Sequence, residues 1–495
     1  MNEIDRRSLL KAGAVVVLTA PFAGYLTGTS SGVPARADHG PGHDPAATGS
    51  WTAPINLGGV AIHASLTHAG HIHFFGRRPD GSQRTAAWTW NYTTEVVTSV
   101  PIPYSRDLFC VGNNVLPDGR VYLVGGHIFD GGGAIGVPQT DIWDPTARTW
   151  TRRATMRQAR WYPTTVGMPN GRTLIFGGHA RPGNPSNTVE EYTVATNLLT
   201  TLPASATRAV GLYPRLHVMP DGRVFKSGPA QQAAIFNRAT NRWTTSASML
   251  VGSRNRGMSV PLPLRAPEQA QVLTCGGASG GPPTRTAETI DLLAPTAWRS
   301  TGAMNRARLL ANAVVLPDGT IFVIGGGLQA NYSGPVLTPE LYDPATGTWT
   351  EMEPHRASRM YHSTALLLPD GRVFCAGQDN GPLATFAEIW SPPYLFRGPR
   401  PGFTGAPAAI SYNQPFTLDC PDAADVATVT VIRPGSVTHQ VNTDQRSVLL
   451  PFTRGEGTLT VTAPTNANWA PPGYYLLFVV NSSGVPSVAP WIRIG

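Results

Sequence analysis

Five segments of this chain carry an Asp-Gly or Asn-Gly turn followed by an apolar strand that ends in glycine, and one position stands eight residues before each turn's Asp or Asn. Its occupants are Cys110, Tyr162, Tyr213, Leu310 and His362, with Tyr361 beside the last. A thiol, phenols and an imidazole are donors and redox-active groups, an odd set for one packing position. Imidazole nitrogen and phenolate oxygen suit copper or iron, and copper leads the Irving–Williams order. Each residue also has a plainer account. A lone cysteine is most often a small buried hydrophobe, as Cys275 and Cys375 read; the tyrosines fit as pore-lining aromatics and His362 as a hydrogen-bonded core imidazole. Convergence on one ring is what makes the set a candidate metal or redox site. Trp161 and Trp390 read as packing residues.

The elements that must position these groups repeat along the chain. Equivalent glycines stand at Gly76, Gly125, Gly177, Gly228, Gly276, Gly325 and Gly377, spaced 49, 52, 51, 48, 49 and 52 residues apart. Each unit reads as an inner hairpin closed by the tight turn, then a polar strand such as Ile142-Trp143-Asp144-Pro145, then a tryptophan at Trp150, Trp243 or Trp349. The period resembles the kelch repeat, so an all-β, seven-bladed kelch-type propeller is expected over residues 51–395. Equivalent positions of successive blades ring the axis, which would bring the donor set together. After Trp390-Ser391-Pro392-Pro393 the repeat stops. Short alternating strands at Val426–Ile432, Ser447–Phe452, Thr458–Ala463, Tyr474–Val480 and Ala489–Ile494 predict an immunoglobulin-like sandwich over residues 396–495.

Composition agrees with this class and excludes others. Gly and Pro number 53 and 46 in 495 residues while charged residues are only 14%, which suits short strands and tight turns over solvated helices. The net charge of +8 comes from dispersed arginines, with Lys11 and Lys226 the two lysines, so no nucleic-acid patch forms. Four cysteines are too few for a disulfide scaffold. Arg6-Arg7 ahead of the apolar run Ala12 to Leu26 reads as a twin-arginine export signal over residues 1–37, cleaved near Ala35-Arg36-Ala37 or kept as an anchor. Residues 38–50 read as a linker whose His39 and His43 are solvent-exposed bystanders.

The segments Asp107-Leu108-Phe109-Cys110, Arg160-Trp161-Tyr162 and Arg359-Met360-Tyr361-His362-Ser363, with Ser436 to Arg446 in the second domain, resemble the copper radical oxidases, the galactose oxidase and glyoxal oxidase family. Pro471-Pro472-Gly473-Tyr474-Tyr475 and Gly484-Val485-Pro486-Ser487-Val488 resemble the end of that family's second domain. The resemblance implies one copper ion held by Tyr162, Tyr361, His362 and His439. It implies a thioether cofactor, formed from Cys110 and Tyr162, that carries a radical, and a Tyr361 that accepts the substrate proton. Substrates would be small aldehydes or primary alcohols, with dioxygen leaving as hydrogen peroxide, and His439 would have to reach the pore from the second domain. The implied enzyme is exported, monomeric and glyoxal oxidase-like, with a cell-envelope glycan as a candidate partner. The rival reading is a non-enzymatic kelch propeller that binds a glycan or protein at the cell surface. Ala180 stands where galactose oxidase has a stacking indole, which counts against a galactose preference. Arg254 and Arg256 read as surface charges or as groups that orient a substrate oxygen.

Overall fold

A computed structural model describes residues 44–495 except 81, 83–84, 104–106, 130–133, 330–332 and 380. The expected export segment, with His39 and His43, lies outside the described residues. Seven antiparallel sheets follow one another among those residues, and their innermost strands are His63–Thr67, Val111–Val115, Thr164–Gly167, Arg215–Val218, Met258–Pro261, Leu309–Val315 and Thr364–Leu367. Neighbouring inner strands touch around a closed ring, the fourth meeting the fifth where His217 Nε2 lies 2.9 Å from Ser259 Oγ, and Thr364 Oγ1 of the last donating at 3.3 Å to Ala61 O just ahead of the first. The seventh sheet takes a strand from the start of the described chain, with Ser50 opposite Ser391 and Trp51 opposite Trp390. Asp44–Ser50, expected as the end of a linker, are therefore folded: Asp44 caps the short helix Pro45–Thr48 and the chain passes directly into the sheet.

Local chemistry explains the hairpins. In the second sheet Asp118 accepts from the Arg120 amide at 3.2 Å and Gly119 takes φ +85°, a conformation that costs a residue with a Cβ about 1 kcal/mol or more. Asn170, Asp221, Asp318 and Asp370 repeat the same contact to the amide two residues on. Tryptophans act between sheets, since the indoles of Trp243 and Trp349 donate to Ala206 O and Gly302 O of the preceding connection and that of Trp298 to Ala247 O in the last strand of the preceding sheet. Trp390 stacks on Phe322 with centroids 3.9 Å apart, the packing role its sequence position suggested.

A second contact locks the second sheet to the third, the fifth to the sixth and the sixth to the seventh. The amide after a repeat glycine donates across the gap, from Gly126 to Arg160 O at 2.9 Å, Gly277 to Arg308 O at 2.9 Å and Gly326 to Arg359 O at 2.7 Å. The same arginines turn their side chains into their own sheets. Arg160, Arg308 and Arg359 are buried against Glu190, Glu340 and Glu388, and each donates to the carbonyl of its own repeat glycine. Arg254 does likewise with Glu288 and Gly276 O.

The C-terminal strands form two sheets. One runs Leu264–Arg265, Arg446–Leu450, Val426–Arg433, Gly473–Asn481, Trp491–Ile494 and Ala409–Ile410; the other joins Pro415–Asp419, Thr458–Thr462 and Phe452–Gly455. Leu264–Arg265 belongs to the fifth repeat, so the ring lends a strand to the C-terminal sheet. Apolar cores are shared too: Met219, Phe225 and Leu264 pack with Val431, Val448 and Leu477.

The glycine contact makes a test. A Cβ at Gly325 would overlap the Arg359 carbonyl oxygen and demand φ +71°, whereas one at Gly70, with φ +87°, meets nothing within 4 Å. Gly325→Ala should therefore lower the thermal unfolding midpoint far more than Gly70→Ala, whose cost is only the backbone strain of about 1 kcal/mol. Circular dichroism melts that show equal shifts would contradict this reading of the lock.

Candidate functional site

The ring position is built by strained backbone. Cys110, Tyr162, Tyr213, Leu310 and His362 have φ of +62, +58, +41, +67 and +67°, and Arg256 of the fifth repeat joins them at +58°. Such angles persist only where neighbours over-determine them. Here the amide of one occupant binds the carbonyl of the one before: Tyr162 to Cys110 at 3.0 Å, Tyr213 to Tyr162 at 2.8 Å and Leu310 to Arg256 at 2.8 Å. Arg256 escaped the sequence count because its repeat lacks the Asp-Gly turn. Neither it nor Arg254 is a plain surface charge: Arg254 is the buried partner of Glu288, and Arg256 is half-buried on the ring.

His439 arrives from the C-terminal domain. Ser436–Thr438 and Val441–Asn442 form a hairpin that extends the first sheet on its inner edge, with Thr438 opposite His63 and Ser436 opposite Ser65. Its two-residue tip, His439 and Gln440, takes φ of +49 and +66°, the signs a tight hairpin turn requires. The turn carries no glycine, and it delivers an imidazole 2% exposed into the centre of the ring.

Around that imidazole the expected residues converge. Ring centroids of Tyr162, Tyr361 and His362 lie 4.7, 5.2 and 4.3 Å from His439, and Cys110 Sγ is 3.6 Å from His439 Nε2. The Tyr162 and Tyr361 hydroxyls are 2.5 Å apart, and Tyr162 packs on Cys110, Phe109, Val60 and Ile62. Tyr213 stacks on Tyr162 at 4.6 Å, but its hydroxyl is committed to Val111 O at 2.8 Å. Leu310 contributes only an apolar wall.

The protonation states follow from burial. Burial pushes the Cys110 thiol well above its usual range, although hydrogen bonding to Tyr162 works the other way. Burial, then the neighbouring Cys110 and Tyr361, raises the Tyr162 phenol. Burial, then His362 and His63, keeps His439 neutral. Burial alone would raise Asp379, but His362 and Arg77 pull its carboxyl below the ordinary range. Asp379 holds His362 through Nδ1, and among the described residues the buried His362 Nε2 has no hydrogen-bond partner. Two imidazoles, His362 with an unpartnered Nε2 and His439 with Nε2 facing Cys110 Sγ, beside two phenol oxygens in contact, are a donor set that fits copper. No group of three His, Cys, Asp or Glu side chains poised for a metal occurs among the described residues, and the further donors beside the two imidazoles are the phenol oxygens.

Residues 81–393 match the family model described as glyoxal oxidase N-terminus, and residues 400–494 match the galactose oxidase-like early set domain. The chain belongs to the glyoxal oxidase family. This glyoxal oxidase family member is 31% identical to a galactose oxidase of Gibberella zeae over 85% of its own length and 65% of that protein's. It is 29% identical to an aldehyde oxidase of Vitis pseudoreticulata over 90% of the chain and 97% of the relative. Among solved structures, a fungal alcohol oxidase of the AA5 family in complex with copper matches with a TM-score of 0.79 at 26% identity, covering 90% of this chain and 99% of that one.

Two features of this family member were not visible in its sequence. Trp161, read as packing, is half-buried with its ring 4.4 Å from Tyr162 and tilted by 53°, so an indole does flank that phenol. It comes from the chain neighbour of Tyr162, while Ala180 lies half-buried in the adjoining hairpin His179–Arg181 with Asn184–Pro185. The arginine-glutamate clamps were missed because their partners stand about thirty residues apart, outside any local pattern.

All four cysteines are buried as free thiols, and burial raises the pKa of each, Cys110 well above its usual range although Tyr162 and Arg77 work against it. Metal-free native protein should therefore resist a thiol-specific disulfide reagent at mildly alkaline pH and release four thiols only on unfolding. Rapid labelling of Cys110 in the native state would show that the site is open to water.

Proposed function

We propose that this chain is an exported copper radical oxidase that oxidises small aldehydes or primary alcohols and releases hydrogen peroxide. The observation that carries the reading is the meeting of Tyr162, Tyr361, His362 and His439 around one point, with Cys110 packed on Tyr162, in a member of the glyoxal oxidase family. His362 and His439 would hold copper through Nε2, and Tyr162 and Tyr361 through their phenol oxygens. Bound copper would supply a one-electron redox partner and a Lewis-acid position for the substrate oxygen.

Cys110 and Tyr162 would be joined by a thioether. The bond forms between Sγ and a ring carbon next to the hydroxyl, the S–H and ring C–H hydrogens leave as two protons and two electrons, and dioxygen takes both. Sulfur on the ring spreads an unpaired electron and eases its removal. In turnover Tyr361 takes the substrate hydroxyl proton and the oxidised Tyr162 ring takes a hydrogen atom from the adjacent carbon. An alcohol, or the hydrate of an aldehyde, thus loses two electrons and two protons, which dioxygen carries away as peroxide. Phe109, 5.0 Å from the His362 ring, and Trp161 beside Tyr162 narrow the water around this chemistry.

Trp161 in place of an indole at Ala180 leaves a differently shaped mouth, so we read glyoxal and glycolaldehyde as better substrates than galactose. The Arg6-Arg7 segment, read as a twin-arginine signal, would send the enzyme out of the cytoplasm, released or anchored. Among the described residues no helix is long and apolar enough to cross a membrane. A monomer, with a cell-envelope glycan as its candidate neighbour, fits this reading. The domain division would be a propeller of kelch type to about residue 395 and a sandwich from 396, joined by the shared strand at Leu264–Arg265.

Peroxide release across a panel of aldehydes, simple alcohols and galactose is the direct test, with the small aldehydes expected to lead. No peroxide from any of them, despite bound copper, would leave the reading without support. After copper and air, unfolded protein should show three thiols where metal-free protein shows four, and peptide mapping should find the Cys110 and Tyr162 segments joined through reduction.

The ligands should divide by role. Tyr361→Phe is expected to keep copper but lose turnover by about 100-fold or more, because it removes the proton acceptor. His362→Ala and His439→Ala should lose the metal itself. Equal copper content in all three variants would contradict the division.

A further inference from the structure

Beneath His439 lies a buried chain of hydrogen bonds assembled from three parts of the fold. Thr438 Oγ1 is 2.5 Å from His439 Nδ1, 3.1 Å from Ile62 O and 3.5 Å from His63 Nε2. His63 Nδ1 meets Asn113 Oδ1 at 3.2 Å, Asn113 Nδ2 meets Ser436 Oγ at 2.7 Å, and Ser436 Oγ meets Ser65 Oγ at 2.6 Å. His63 and Ser65 come from the first sheet, Asn113 from the second, and Ser436 and Thr438 from the C-terminal domain. None is more than 2% exposed, so water cannot stand in for a missing partner.

The donors and acceptors can be counted. With its one hydrogen given to Ile62 O, which can only accept, the Thr438 hydroxyl offers a lone pair to His439 Nδ1. That nitrogen must then carry the ring proton. If the Asn113 amide is turned over, His63 changes tautomer and donates to Thr438, yet the demand on His439 is the same. We propose that Thr438 is a positioning residue: with Ile62 and the His63–Asn113–Ser436 chain it fixes His439 as the Nδ1-protonated tautomer and so presents Nε2 toward Cys110 and the metal position. His362 is held differently, by the carboxylate of Asp379. One imidazole therefore has a charged partner and the other a neutral one that forms only when the C-terminal hairpin lies in register on the first sheet.

This inference rests on the copper reading, and the test separates the two. In the full-length chain Thr438→Val keeps the side chain's shape but removes the acceptor. It should weaken copper binding about 10- to 100-fold in competition with a chelator and alter the nitrogen hyperfine pattern of the copper resonance spectrum, while Thr438→Ser should behave like the parent. Unchanged affinity and spectrum in a folded Thr438→Val protein would overturn the proposal. Its folding is checked by circular dichroism. In case it does not fold, the parent chain itself is read: histidine-15N-labelled, metal-free protein should give an Nδ1-protonated signal for His439, assigned by its loss in His439→Gln. An Nε2-protonated signal there overturns the proposal. A parent chain that takes up no copper would sink the copper reading, and the tautomer measurement would still decide for or against Thr438.

Discussion

The amide-to-carbonyl bond between a repeat glycine pair and the arginine of the next sheet is the contact on which the site depends. Gly126 reaches Arg160 O and Gly326 reaches Arg359 O, and two residues beyond those arginines stand Tyr162 and Tyr361. The bond needs a glycine because a side chain would enter the space of the carbonyl. Its arginine needs a carboxylate because an unpaired buried guanidinium would cost several kcal/mol. One small motif thus locks adjacent sheets together and sets the place from which a phenol leaves the strand. The left-handed backbone that follows is tolerated because both flanks are already tied.

The ring alone supplies only part of the donor set. Its centre is completed by a hairpin from the C-terminal domain, whose tip has two left-handed residues without glycine. That strain is held by pairing along Ser436–Thr438 and by a domain contact with continuous apolar cores and a shared strand. Domains that merely touched would let the imidazole wander by more than a metal bond tolerates. Here the same packing that buries Val431 and Val448 also fixes His439.

The periodic part of this arrangement was legible in the sequence because it is local. The turn glycine, the strand length and the eight-residue offset all lie within one hairpin, so counting back from Asp118 or Asp370 lands on Cys110 or His362. Where the local motif decays, as in the fifth repeat, the count fails and does not put Arg256 on the ring. The direction of Trp161 was also hidden, since its neighbour in space is decided by the bridge it makes to His179. His439 could be named only by resemblance. Its contact with Cys110 spans 329 residues, and no spacing rule reaches that far. The Thr438 network is harder still, because serine, threonine and asparagine are ordinary strand residues until three elements bring them together.

Charge gives the last constraint. In the metal-free site burial keeps Cys110 and Tyr162 protonated and His439 neutral, so these three groups are uncharged. The carboxylate that holds His362, Asp379, is already shared between His362 and Arg77. A small dication entering such a pocket would find lone pairs but little compensating charge, and the cheapest source of it is the Tyr162 phenol giving up its proton. Metal uptake should then be coupled to proton release from a group that burial otherwise keeps neutral. The same desolvation that makes an ionised phenol costly without a cation would make the phenolate a strong ligand beside one, so that this buried, uncharged cluster would take up a metal with no free carboxylate in contact among the described residues.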